Sequence, residues 1–343
     1  MPTPPKSKTF AALLVAAALL AIPASASATL TFVRNPLSPV VYVANDNGSD
    51  PRTVGSGSNP HVSPDGNSVA YLREGPGHAQ ELVIANVAGG KARTLLKGFR
   101  NAFYLAFSPD STQIAALRGP ELGQRKLVLI DVASGAQTVI ASGFFNGFSF
   151  SPEGDELAYG RAASESYPQK SDVYRYAIAA GKATRLTKDH RSQDPLWGPT
   201  GKIVFVKQIG ANQRQYGPKN ELFLMNPQGK AVKRLTNTVV DPLLVGLFPT
   251  AWSEDGKRLL AEFEGQDTSY AVAVNALTGA QKPVAESGEG GFVGTALSAD
   301  GATVLGFTGG FEPGPSHKVA TVPFNGGKKK VLAKNAFEPD WSL

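Results

Sequence analysis

Hydrophobic positions in this chain fall in short runs of three to five residues, and nearly every run is bounded by Gly, Asn, Asp or Pro. Runs of that length, rich in Val, Ile, Leu and Tyr, predict β-strands rather than helices. The runs recur in sets of three. Residues 30–33, 40–44 and 52–54 make the first set, and 68–72, 82–85 and 93–96 the second. The third is 114–117, 127–130 and 138–140, and the fourth 157–159, 173–176 and 184–187. The fifth is 203–206, 222–225 and 233–236, the sixth 259–261, 270–274 and 283–285, and the seventh 304–307, 319–322 and 330–332. No sustained helical period occurs, so few helices are expected.

A fixed punctuation separates the sets. Val62-Ser-Pro-Asp-Gly66 is followed by Phe107-Ser-Pro-Asp-Ser111, Phe150-Ser-Pro-Glu-Gly154, Trp197-Gly-Pro-Thr-Gly201, Trp252-Ser-Glu-Asp-Gly256 and Leu297-Ser-Ala-Asp-Gly301. A truncated copy, Pro339-Asp-Trp-Ser342, ends the chain, and the steps between copies are 45, 43, 47, 55, 45 and 44 residues. The hydrophobic residue before the Ser marks one further strand, here A, and the three runs after it are B, C and D. The Asp-Gly pair supplies the positive backbone angles of a tight A–B hairpin, so its Asp reads as a turn residue.

Repeated four-stranded units of about 45 residues predict an all-β propeller. The first B–C–D set lacks a strand A before it, and the last strand A lacks a B after it. Closing the ring by joining the C-terminal strand to the N-terminal blade gives seven complete blades and leaves no open sheet edge. A six-bladed ring is the alternative, and it would discard one B–C–D set.

The pattern Pro-x-Trp-Ser-Pro-Asp-Gly, a strand, then a turn and Leu-Thr, resembles the TolB-type, WD40-like propeller repeat. Asp194-Pro-Leu-Trp197 carries the upstream half, although Gly198 and Thr200 depart from its Ser and Asp. Thr184-Arg-Leu-Thr187 and Lys233-Arg-Leu-Thr236 carry the end. The resemblance covers the chain from residue 29 onward and implies a propeller without the N-terminal α/β domain of TolB itself. It implies no single function. Similar propellers serve as envelope scaffolds, as part of prolyl oligopeptidase-like peptidases and as oligogalacturonate lyases.

The first residues follow another design. Lys6 and Lys8 precede an apolar run at 10–22, Pro23 breaks it, and small residues follow at 24–28. That is the plan of a secretory signal peptide, and the run is short for a membrane span. Residues 1–28 are therefore expected to be the leader and 29–343 the propeller, exported to the periplasm or the exterior and with no membrane span after leader removal. The chain has no Cys, which excludes disulfides and thiol chemistry. Its net charge of +6 is modest, and two of those charges lie in the leader. The local run at 328–330 reads as a solvated hairpin turn, so no nucleic-acid partner is expected.

With A innermost, as the resemblance implies, the D–A and B–C loops share one face and the short hairpins the other. The long loops are on the first face, which is the binding candidate. Its candidate residues are His190, Arg191 and Asp194 from a polar blade-joining loop, Arg214 and Tyr216 from the loop 208–220, and Leu244 and Phe248 from the apolar segment 236–248. His61 lies on a strand A near the channel. His78, His190 and His317 fall in first-face loops of separate blades, at no metal-ligand spacing, so no metal or other cofactor is expected. No nucleophile elbow and no phosphate-binding glycine loop occurs, so no catalytic residue is assigned. The reading is a monomeric, exported, non-enzymatic propeller that binds an envelope or extracellular protein, or a glycan. A polysaccharide lyase or hydrolase using His61, His190 and Asp194 is the alternative. Convergence of two histidines with carboxylates would favour the enzyme, and an apolar mouth would favour a protein partner.

Overall fold

A computed structural model describes residues 29–99, 104–120, 123–164, 170–210, 219–238, 244–265, 269–285, 291–309 and 316–342. The leader at 1–28, Arg214 and Tyr216 lie outside the described residues. Antiparallel strands make up nearly all of the regular structure, with one 3₁₀ turn at Pro76–His78.

The strands pair as units of four. Unit 1 joins the chain's two ends, with strand A Phe337–Ser342 beside Thr29–Arg34, then Val40–Asn45 and Arg52–Ser56. Unit 2 is Ser58–Val62, Ser68–Glu74, Gln80–Asn86 and Arg93–Phe99. Unit 3 begins with Leu105–Phe107, Gln113–Arg118 and Arg125–Asp131. Its strand D and strand A of unit 4 are one continuous strand, Gln137–Phe150. The half from 137 to 143 pairs back and the half from 144 to 150 pairs forward, where the sequence reading had two separate strands. Unit 4 continues with Glu156–Ala162, Ser171–Ala177 and Lys182–Arg185. Unit 5 is Ser192–Trp197, Ile203–Ile209, Lys219–Met225 and Lys233–Arg234. Unit 6 is Leu244–Trp252, Arg258–Gly265, Ser269–Asn275 and Gln281–Pro283, and unit 7 is Phe292–Leu297, Thr303–Thr308, Lys318–Pro323 and Lys330–Lys334.

The A strands touch one another in order through units 1 to 7, and strand A of unit 7 touches that of unit 1. The B strands explain why their apolar runs are continuous instead of alternating: both faces of each sheet are covered. Val69 and Tyr71 face the cluster shared with units 1 and 7, while Ala70 and Leu72 face the one shared with unit 3. The same alternation places Leu259 with unit 5 and Leu260 with unit 7.

Two motifs are structural. Ser63, Ser108, Ser253 and Ser298 donate their hydroxyls to Asp65, Asp110, Asp255 and Asp300 at 2.5–2.8 Å, and each Ser oxygen or Asp carboxylate also caps an amide of the turn. The Leu-Thr end of the repeat braces strands C and D. Thr236 Oγ1 accepts from the Leu222 amide at 2.9 Å and donates to the buried Glu221, which also pairs with Lys219 at 3.0 Å and Arg234 at 3.1 Å. Unit 4 repeats the brace with Thr187, Asp172 and Arg185.

Candidate functional site

Every unit other than unit 3 shows a register irregularity in strand A, at or just beyond the position four residues before the motif Ser. In three units that position is a non-glycine residue in the left-handed region: Asn59 (φ 51°), Asp194 (φ 46°) and Glu338 (φ 47°). Bulges re-aim side chains and recur next to sites. Here they turn the Asp194 and Glu338 side chains toward a neighbouring strand A. Glu338 Oε2 accepts from the Asn59 amide at 2.6 Å. Asp194 lies over Gly147, where an added Cβ would stand 2.8 Å from Oδ1, so unit 4 leaves room for the carboxyl by having no side chain there.

Around Asp194 is a pocket of about 240 Å³ at the loop end of strands A of units 4, 5 and 6. Tyr104, Asn146, Gln193, Asp194, Gln208, Asn220, Val245 and Phe248 line it. Four of these are carboxamides. Asn146 Nδ2 donates to Gln193 Oε1 at 3.2 Å, fixing that pair. Asn220 is 2% exposed, and its Oδ1 has no hydrogen-bond partner among the described residues. A buried acceptor without a donor costs about 1–3 kcal/mol, so this atom is an unfilled position in the wall.

The one carboxyl lining the pocket, and two others on strand B of unit 6, are reluctantly charged. Burial pushes the Asp194 carboxyl up to about 7, and the charge of Glu264 adds to it. Burial also raises Glu264 itself and takes Glu262 to about 7, although Ser269 donates a hydrogen bond to Glu262. The charge of Asp194, then burial, raises the Tyr104 hydroxyl. Near neutral pH the site therefore offers a carboxyl shared between its protonated and ionised forms and a hydroxyl donor, beside carboxamides that donate and accept, a set suited to a polar, hydroxyl-rich ligand.

A second pocket of about 280 Å³ opens on the same face, over the seam of units 3 and 4. His190 lies on its wall, with Nδ1 2.9 Å from Asp172 Oδ2.

The structure thus divides the sequence candidates. Asp194 and Phe248 meet at the first pocket and His190 is at the second. Arg191 exposes its side chain, and its amide donates to Asp189 at 3.1 Å. His61 is on strand A of unit 2 and lines neither pocket; its Nδ1 is 3.7 Å from Asp340, burial lowers its pKa, and the Asp340 charge partly opposes that. His317 is no free loop residue, being 2% exposed between Phe307 and Phe337. His78 is exposed and contacts Glu74 at 2.5 Å. Among the described residues, then, no two histidines share a site, and no group of three or more His, Asp or Glu side chains is placed to hold a metal ion. The apolar segment before Trp252 is also corrected. Leu244–Trp252 is strand A of unit 6, lengthened by a bridge between Asn220 and Gly246, and Leu247 is fully buried in the core.

Sequence reasoning missed Tyr104, Asn146, Gln193, Gln208, Asn220, Glu262 and Glu264. Aligning the repeats would have flagged the first three, which sit four or five residues before a motif Ser. The others lie at ends of strands B and C, with no local signature.

Radial four-stranded antiparallel units with A strands in mutual contact and a polar pocket at their loop ends define a β-propeller. No family model matches the chain, and no curated protein matches it in sequence. Solved structures do. The propeller domain of the trilobed protease from Pyrococcus furiosus superposes with a TM-score of 0.64 at 14% identity, covering 90% of this chain and 93% of that one. TolB from Acinetobacter baumannii gives 0.55 at 16%, covering 92% and 83%. An oligogalacturonate lyase from Vibrio parahaemolyticus gives 0.60 at 15%, covering 89% and 84%. At these identities the likeness is one of fold.

Proposed function

We propose that the seven units form one closed seven-bladed ring, exported by the leader read at 1–28, and that it binds a saccharide segment of a glycan at the loop end of its channel. The observation that carries this reading is the buried, unpartnered Asn220 Oδ1 in a pocket of carboxamides, Tyr104 and Asp194. A sugar hydroxyl supplies the missing donor, and the other groups can each exchange a hydrogen bond with a neighbouring hydroxyl. Phe248 and Val245 supply an apolar side for a ring face. A protein partner is less well matched, because six of the eight lining residues carry a polar side-chain group.

A lyase or hydrolase is the second reading, and one observation favours it: a carboxyl titrating at about 7 in a pocket is poised for general acid or base work. One experiment separates the two. The mature protein is screened against an oligosaccharide panel by thermal shift, and each ligand that binds is re-examined by mass spectrometry after prolonged incubation. Binding that Asn220→Leu abolishes, with the saccharide recovered intact, supports the binding role. Turnover that Asp194→Asn abolishes transfers the case to the enzyme. No shift with any saccharide, or shifts that Asn220→Leu leaves unchanged, overturns the pocket assignment.

A further inference from the structure

The pocket over the seam of units 3 and 4 carries an independent argument. Its polar wall holds Arg161, Lys170, Arg185 and His190 against a single carboxylate, Asp172. That carboxylate is already committed. It pairs with Arg185 at 2.5 Å and His190 at 2.9 Å, and its other oxygen accepts from Thr187 Oγ1 and the His190 amide, both at 3.1 Å. Asp172 is therefore the buried fixture that orients Arg185 and His190, and it has no charge left to offer the other two cations. Arg161 lies flat against Gly143, whose missing side chain makes the space: an added Cβ would stand 3.0 Å from Arg161 Nε. Among the described residues, Arg161 and Lys170 have no ion-pair partner. Two cations without counter-ions beside a preorganised guanidinium make an oxyanion site, and the planar guanidinium of Arg161 suits a carboxylate held two-point.

The other wall is apolar. Phe144 and Tyr174 line it, and Tyr174 is held by stacking on Tyr159 at 5.4 Å and 12°. The volume of about 280 Å³ is several times the ~30 Å³ share of one water molecule, so the pocket has room for more than a bare anion. We infer that this seam pocket binds a carboxylate carried on a sugar-sized ring, with Arg161 and Lys170 holding the carboxylate and Tyr174 and Phe144 facing the ring.

The test is calorimetric titration of the mature protein with glucuronate, with glucose and inorganic phosphate as comparators, and with a short uronate oligomer. The expected result is saturable glucuronate binding, absent with glucose and weakened about tenfold by Arg161→Gln and by Lys170→Gln at unchanged melting temperature. Both residues are exposed, so neither substitution touches the core. Tighter binding of the oligomer that keeps its dependence on Arg161 identifies a polymer as the source of the carboxylate, and equal binding identifies a free acid. The inference is overturned by equal affinity for glucose, by tighter binding of phosphate, by variants that bind normally, or by no saturation up to about 10 mM. Asn220→Leu leaves this pocket untouched, so glucuronate binding that survives it separates this result from the channel-mouth reading.

Discussion

The side chain of Asp340, near the C-terminus, accepts a hydrogen bond from the amide of Val62 at 2.9 Å, joining strand A of unit 1 to strand A of unit 2. Glu338, on the same strand, takes the Asn59 amide. The last strand thus serves both as strand A of the unit that holds the N-terminal strand and as the tie to the next unit. Asp340→Ala leaves the Val62 amide without its acceptor and is expected to cost about 1–3 kcal/mol. Ending the chain at Ala336 removes the strand paired with Thr29–Arg34, uncovers Leu30 and Phe32, and is expected to abolish cooperative unfolding. Urea denaturation followed by tryptophan fluorescence reads both.

The brace at Glu221 is expected to be the most costly side chain to truncate. It is fully buried with two cationic partners and two threonines. Glu221→Ala strands Lys219 and Arg234, at an expected cost of about 3–5 kcal/mol. Thr236→Val removes one acceptor and one donor and is expected to cost about 1–2 kcal/mol. Burial alone would raise the Glu221 carboxyl; hydrogen bonds from Thr236 and Lys219 outweigh it and hold the group below its usual range. Its stabilising contribution is therefore present above the ordinary glutamate range and lost as pH falls below it.

Asp194 and Glu262 act in the opposite sense. Their folded values of about 7 lie above the unfolded values near 4, so the native state binds more protons between those limits and stability falls as pH rises through them. Asp194→Asn is expected to gain about 1–3 kcal/mol at pH 8, nothing near pH 4, and to flatten the profile between. His61 opposes this trend, because its lowered value costs stability as pH drops below its unfolded value of about 6.5. Melting temperatures of wild type, Asp194→Asn and His61→Gln across pH 4–8 resolve the contributions.

Asn220→Leu is expected to leave stability unchanged or raise it, since an acceptor with no partner is replaced by an apolar group of similar size. Gly246→Ala is expected to be destabilising. Its backbone sits at φ 117°, and an added Cβ would stand 2.3 Å from the Asn220 carbonyl oxygen. The shift would displace the strand that carries Phe248 and the one that carries Asn220 together. Thermal unfolding of the two variants distinguishes them, with only the alanine variant expected to melt lower.

The sequence by itself determined the strands, the A–B hairpins and the four-strand grouping, because each depends on neighbours within a few residues. Apolar runs of three to five, Ser-Pro-Asp-Gly turns and the Leu-Thr brace are local signals, and most strands formed around the runs that were read, apart from the continuous Gln137–Phe150 and the lengthened Leu244–Trp252. The 45-residue period further placed Phe337–Ser342 beside Thr29–Arg34, since an unpaired strand A and an unpaired B–C–D set have one mutual solution. Only the tertiary structure decided which side chains meet. Asp194 reaches Gly147 because a bulge in strand A turns it there, and Tyr104, Asn146 and Phe248 arrive from three other units. His61 and His190, plausible partners along the chain, are held apart because His61 is on strand A of unit 2 and His190 precedes strand A of unit 5, with units 3 and 4 between them. Convergence in a radial fold depends on how units are placed around an axis. That placement is set by packing between sheets, and no short stretch of sequence records it.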